Sequence, residues 1–235
     1  MSKSSSTTPP NDSGTRPPTL AIIGGTGKEG NALAFRFARA GVPVIIGSRD
    51  PSRGAEAARG MNARLGVTNV SGTSNREAAL RADIVLLSVP YQGMQPILED
   101  LREAARDKIV INIASSLDPE RKSRAKPPAA GSVTAEVQHA FGDRARVVCA
   151  FQNVSPETLE AVEERVDTDV IVCGADRATR ETVIDLIGRI GIDALDGGVL
   201  ANAVAVEAMT AVLIGINIKH KSRGAGIRVT GVPRP

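Results

Sequence analysis

The spacing that carries most chemistry is the run Gly25-Thr26-Gly27-Lys28-Glu29-Gly30. Glycines so placed, between an apolar strand and a helix, suit a dinucleotide pyrophosphate. Gly25 permits a tight turn, Gly27 lets the backbone approach the phosphates, and Gly30 lets helix and strand pack closely. The helix start adds unpaired N–H groups and the positive end of its dipole. An ordinary glycine-rich turn is the bland alternative, and the strand before and helix after argue against it. A second signal ends the next strand, Gly47-Ser48-Arg49. An NAD site usually carries Asp or Glu there, roughly 20 residues past the glycines, to accept from the ribose 2′-OH. A hydroxyl and a guanidinium suit a 2′-phosphate instead: Ser48 can donate one hydrogen bond and Arg49 a fork of them. Arg53 opens the following helix as a second cation for the same phosphate, so NADP(H) is the expected cofactor. Asp50 is discordant, because its carboxylate would repel that phosphate unless it faces solvent.

The rest of the chain offers little other chemistry. It shows no Ser/His/Asp grouping, no paired carboxylates and no metal-ligand spacing. Cys149 and Cys173 sit in apolar runs and read as buried, reduced thiols. Aromatic residues make up only 2% of the chain, which argues against a base-stacking nucleic-acid surface. The net charge of +3 is too weak to suggest one either. Basic residues do cluster, at Arg121, Lys122, Arg124 and Lys126, and again at Lys219, His220, Lys221, Arg223 and Arg228. Each cluster is either solvated surface or a landing site for an anionic ligand. No apolar run reaches the roughly 18 residues of a membrane span, and no apolar leader opens the chain. A cytoplasmic protein is expected.

These residues need a scaffold, and the pattern is strand, turn and helix, repeated. Residues 1–18, rich in Ser, Thr and Pro, read as a disordered tail. Strands are expected at 19–24, 42–47, 67–70, 83–90, 108–115, 145–150 and 169–173. Helices are expected at 31–40, 51–65, 75–80, 94–106, 132–141, 177–190 and 200–218. This alternation predicts an α/β fold: a Rossmann-type, doubly wound parallel sheet with right-handed crossovers. Residues 19–150 form the NADP-binding domain in this reading. Residues 151–235 form a small C-terminal α/β extension ending in a long apolar helix. That helix is apolar nearly all round, which predicts burial against the sheet or a second subunit. The polar segment 116–131 is long for a structureless connection, which marks a functional loop.

The runs IIGGTGKEGNALAFRFARAGVPVIIGSRD, IVLLSVPYQ, RVVCAFQNVS, DVIVCG and LDGGVLANAVAVEAMTAVLIGIN follow one another in the chain. Together they resemble the NADPH-dependent reductases of the deazaflavin coenzyme F420, over essentially residues 19–220. The first run is shared by many Rossmann enzymes; the later ones are more specific. The resemblance implies hydride transfer between NADP(H) and F420. It implies that Thr26, Ser48, Arg49 and Arg53 hold the NADP phosphates. Ser88, Val89, Pro90 and Tyr91 would line the nicotinamide side. Gln152, Asn153 and Val154, with the turn from Leu200 to Asn202, would flank the deazaflavin ring. Archaeal members carry His where this chain has Gln152 and Pro where it has Ser155, although Gln152 still donates and accepts hydrogen bonds. Hydride transfer between stacked heterocycles needs proximity and a dry cleft rather than a nucleophile or base, so no catalytic side chain is expected. F420 also carries a phosphate and an oligoglutamate tail, which the basic clusters could guide.

Other readings stay open at this point. One is an NADPH-dependent reductase of a small imine, keto or hydroxy acid, though the residues after Gly191 are too few for the helical dimerisation domain such enzymes usually add. Another passes electrons to a flavin, as in related metalloreductases. A third is a non-catalytic NADP(H) sensor. The expected partners are small molecules and a second copy of the chain in a homodimer, with no nucleic acid and no membrane.

Overall fold

A computed structural model describes residues 16–161 and 166–233. Most of the tail read over 1–18 lies outside the described residues. From there the elements are β1 (Leu20–Ile23), α1 (Lys28–Arg39), β2 (Val44–Ser48), α2 (Pro51–Leu65), β3 (Val70–Ser74) and α3 (Asn75–Arg81). They continue as β4 (Ile84–Leu87), α4 (Met94–Leu101), β5 (Ile109–Asn112), α5 (Val133–Phe141) and β6 (Arg146–Cys149). Then follow α6 (Pro156–Glu160), β7 (Val170–Gly174), α7 (Arg177–Gly188), β8 (Ala194–Gly198) and α8 (Ala203–His220).

All the strands join one sheet in the order β3-β2-β1-β4-β5-β6-β7-β8. The order reverses between β1 and β4, and ligands of open α/β sheets bind in the crevice beyond the carboxyl ends at that point. Strands β1, β4 and β5 are buried along their whole length, which is why LAII, IVLL and IVIN read as apolar runs rather than alternations. One face is covered by α1, α2, α6 and α7, whose core includes Phe37, Met61, Leu159 and Leu186. The other is covered by α3, α4 and α5, with Ala78, Leu98 and Val137. Cys149 and Cys173 are buried free thiols facing each other across β6 and β7, under Ala203 and Val206 of α8.

Several expectations are corrected. The sheet is not wholly parallel: β7 runs antiparallel to β6. The chain leaves β6 through α6 and re-enters the sheet beside β6 running the other way. The third strand is Val70–Ser74 rather than 67–70. Its sequence VSGTS is polar because the strand is an edge, and Gly72 is needed because a Cβ there would overlap the Gly54 carbonyl of α2. Strand β8, ALDGG, is not among the strands expected from the sequence. Its glycines serve close packing: a Cβ on Gly197 would lie 2.5 Å from Cys173 Sγ. The five-residue α6 is too short to show a periodicity.

The long C-terminal helix also departs from expectation. A continuous helix from Leu200 to His220 is, by length and composition alone, long and apolar enough to cross a membrane. Interrupting polar residues such as Asn202, Glu207 and Asn217 keep the uninterrupted apolar runs short while leaving the average high. Ala203, Val206, Glu207, Ala211 and Leu213 are buried, whereas Val204, Val212, Ile216 and Ile218 are exposed.

Candidate functional site

The glycine turn departs from the motif in one respect. Gly24, just before the motif, adopts the left-handed φ of +73°. A Cβ there would also lie 2.7 Å from the Ser88 carbonyl oxygen. Gly25 is required by proximity instead, its missing Cβ falling 2.8 Å from the Ile22 carbonyl oxygen. Gly30 lets α1 cross the sheet closely, since a Cβ would meet Ser88 Oγ at 2.8 Å and Gly25 Cα at 3.0 Å. Gly27 starts α1 with no side-chain cap. By contrast, α2, α3, α5, α6 and α7 are capped by Asp50, Ser74, Ser132, Ser155 and Asp176. The first N–H groups of α1 are thus left for an anion, which the helix dipole favours.

At the end of β2, Ser48 is buried while Arg49 and Arg53 are exposed. Asp50 is accounted for: it caps α2, accepting from Ser52 N at 2.9 Å and Ser52 Oγ at 2.7 Å. The Ser52 hydrogen bonds, helped by Arg53, hold its carboxyl below the usual carboxylate range. With that carboxylate tied into its own helix, the strand end presents a hydroxyl and guanidinium groups and fits a 2′-phosphate.

A cleft of about 750 Å³ opens at the carboxyl ends of β1, β4, β5 and β6. Gly27, Lys28 and Glu29 line it from the glycine turn, Ser88, Val89, Pro90 and Tyr91 from beyond β4, and Gln152, Asn153 and Val154 from beyond β6. The turn places Gly25, Thr26 and Gly30 directly beside these. Leu200 and Asn202 line no part of this cleft. Strand β8 runs opposite to β1–β6, so the chain leaves it heading away from the cleft. Helix α8 then returns, and lines the cleft only from Thr210 onward, about 12 Å along the axis from Asn202 at 1.5 Å per residue. Thr210, Leu213 and Asn217 of α8 line the cleft and were not singled out in the sequence.

The wall at β6 is held from several sides. Phe151 is buried with a φ of +72°, a strained conformation for a non-glycine residue that persists only where the surroundings impose it. Gln152 Nε2 donates to the Asn112 carbonyl at 2.8 Å, and Thr210 Oγ1 donates to the Gln152 carbonyl at 2.9 Å. The Asn112 side chain donates to Thr134 Oγ1, which donates to Glu207 at 2.6 Å. Glu207 also accepts from Val133 N at 2.7 Å and Thr134 N at 2.8 Å, so α8 is pinned to the start of α5. Burial pushes the Glu207 carboxyl up, and these donors oppose it. Helix α6 is clamped to α1: Lys28 Nζ meets Glu157 at 2.7 Å, and Arg36 donates to the carbonyls of Thr158, Leu159 and Ala161. Arg36 and Glu207 were missed in the sequence because a lone charge in a helix carries no sign of what it will meet.

Glu29 is partly open to the cleft, yet burial by the surrounding walls pushes its carboxyl up to about 8, which favours the uncharged form over a repelling anion in the phosphate turn at neutral pH. The 116–131 segment is ordered by its own bonds. Asp118 accepts from Glu120 N and Arg121 N, and Ser116 and Lys126 exchange hydrogen bonds. It brings Leu117, Asp118 and Lys122 onto the cleft, opposite Arg223 from the C-terminal basic cluster. Arg228 of that cluster is instead engaged by Asp167, Asp169 and Asp193. Among the described residues no group of His, Cys, Asp and Glu is placed to hold a metal.

The sheet order, the uncapped glycine turn and the cleft beyond the parallel strand ends define a Rossmann-type α/β protein. The family described as coenzyme F420-dependent NADP oxidoreductase matches residues 19–116. Over 221 residues the chain is 39% identical to the F420-dependent NADP reductase of Methanocaldococcus jannaschii, covering 91% of this chain and 98% of that protein. It is 37% identical to that of Methanothermobacter thermautotrophicus, covering 91% and 95%. The crystal structure of a candidate F420-dependent NADP reductase from Arthrobacter sp. FB24 shares the fold, with a TM-score of 0.76 at 23% identity over 91% of this chain and all of that one. The chain belongs to the F420-dependent NADP reductase family.

Proposed function

We propose that this chain transfers a hydride between NADP(H) and F420. The observation that carries the reading is that one cleft runs from an uncapped helix start, through Ser88–Tyr91, to the strained end of β6. Both redox rings can lie side by side within it. The first N–H groups of α1 hold the pyrophosphate, and Ser48, Arg49 and Arg53 hold the 2′-phosphate. Val89, Pro90 and Tyr91 support the nicotinamide; Gln152, Asn153 and Val154, with Thr210 and Leu213 of α8, support the deazaflavin. These residues bind, orient and exclude water, and the hydride passes directly between the rings. The test is loss of the deazaflavin absorbance when the protein is mixed with oxidised F420 and NADPH, with NADH as control. Bleaching by NADPH alone supports the reading; no bleaching despite NADPH binding overturns it.

We read the domain division as functional: residues 19–150 bind the dinucleotide, and residues 151–235 complete the deazaflavin side. The exposed apolar face of α8, with Val204, Val212, Ile216 and Ile218, supports a homodimer, and the protein is read as cytoplasmic.

Two predictions follow from the charges at the cleft. Glu29 is neutral below a pH of about 8. As pH rises through that value, the carboxylate that forms repels the dinucleotide phosphates, and the Kd for NADPH rises roughly tenfold. In Glu29→Gln this rise is absent, as read by quenching of NADPH fluorescence between pH 6 and pH 10 (about four units). Lys122 and Arg223, one from each basic cluster, face the cleft together. The double change Lys122→Ala/Arg223→Ala raises the KM for F420 about tenfold, leaves that for NADPH unchanged, and leaves the tail-free deazaflavin ribitol compound unaffected. An equal effect on the tail-free compound would place the cations on the ring instead.

A further inference from the structure

Beyond the end of β6, Gln152 and Asn153 are 5% and 1% exposed, and Gln152 Oε1 and Asn153 Oδ1 have no hydrogen-bond partner among the described residues. Buried polar atoms are normally paired, so each orphan needs an explanation. For Gln152 the geometry supplies one. Its Nε2 donates to the Asn112 carbonyl at 2.8 Å, and turning the amide over would set one carbonyl oxygen against another. Its main-chain carbonyl is held by Thr210, and the preceding Phe151 is locked in a left-handed conformation. Its side chain therefore keeps one unpaired polar atom, Oε1, and that atom only accepts.

Which ligand group meets it follows from the strand order. The glycine turn and Ser88 set the dinucleotide at the ends of β1 and β4, and β5 separates β4 from β6. At roughly 4.8 Å per strand, Gln152 lies about 10 Å beyond the β4 end. That is too far for the carboxamide of a nicotinamide held at Ser88–Pro90, and within reach of a tricyclic ring stacked beside it. A deazaflavin ring carries one N–H at its far edge, the imide N–H of its pyrimidine portion.

We infer that Gln152 is a specificity-determining residue whose Oε1 accepts this imide N–H, so that the site selects acceptor rings with a free N–H at that edge. The inference rests on the proposed function and names the contact by which the acceptor is chosen. It reverses what a histidine donating at that position would demand.

The test uses two synthetic 5-deazaflavins that differ only in carrying N–H or N–CH3 at the imide nitrogen, titrated against the full chain with NADP+ present and followed by ring fluorescence. The expected result is binding of the N–H compound at least about tenfold more tightly. Gln152→Leu and the unbranched Gln152→Met should each bring the two affinities within about twofold, by weakening the N–H compound, while the Kd for NADP+ stays put. Equal binding of both compounds by the unaltered chain, with F420 still reduced by NADPH, overturns this inference and leaves the proposed function standing. Discrimination that survives both substitutions also overturns it, because the methyl group is then excluded by something other than Gln152. If neither ring binds and NADPH does not reduce F420, it is the proposed function that fails, and this inference falls with it.

Discussion

Replacing Arg49 and Arg53 together by alanine is expected to raise the Kd for NADPH about 100-fold, while the Kd for NADH changes less than about twofold. The size follows from losing two charge-assisted contacts to a dianionic phosphate, each worth about a factor of ten at an exposed site. The direction follows from the end of β2, where no acidic group is free to hold a ribose hydroxyl. Ser48 is buried, and the one carboxylate, Asp50, is spent on capping α2 through Ser52. The two guanidinium groups are exposed, so binding should also weaken as salt is raised, and that salt dependence should shrink in the double variant. Because neither side chain is part of the core, the thermal midpoint without ligand should not move. A similar loss for NADH would mean that these residues hold the pyrophosphate, not the 2′-phosphate.

The second large effect is on stability. Glu207→Ala should lower the unfolding free energy by about 3 kcal/mol, because it strands the N–H groups of Val133 and Thr134 and the Thr134 hydroxyl in a buried site. All three now donate to this one carboxylate. Glu207→Gln should cost less, since an amide oxygen keeps one acceptor in place while its NH2 opposes the remaining donors. Urea unfolding at constant m-value measures both. A functional consequence should accompany the loss. Helix α8 is anchored at Glu207 and supplies Thr210 and Leu213 to the cleft three and six residues later, so the KM for F420 should rise more than the KM for NADPH. A drop of less than about 1 kcal/mol in the alanine variant would mean that water replaces the carboxylate at the start of α5.

The dinucleotide half is legible in the letters alone. Short apolar runs such as LAII and IVLL, bounded by turn residues, fit strands covered on both faces, and a glycine turn between strand and helix has few physical uses. Ser48 and Arg49 follow at a chain distance fixed by one helix and one strand. All of this is local: each signal lies within some thirty residues of the next, and backbone sterics plus hydrophobic periodicity suffice to read it. Even there the left-handed position was Gly24 rather than Gly25, because adjacent glycines are equivalent until the path of the chain past Ser88 is known.

The acceptor half was decided by tertiary structure. The resemblance pointed to Gln152, but nothing in the letters FQNVS shows that Phe151 turns left-handed, that the Gln152 amide is oriented by Asn112, or that its oxygen is left unpaired among the described residues. The reversal of β7 against β6 has no signal in the letters of either strand. That reversal sends the Leu200–Asn202 turn away from the cleft and brings the middle of α8 into it. Arg36 and Glu207 acquire their roles from carbonyls and N–H groups more than seventy residues away. A buried charge goes wherever unpaired backbone groups accumulate, at the ends of helices, and only the packed structure says which ends come within its reach.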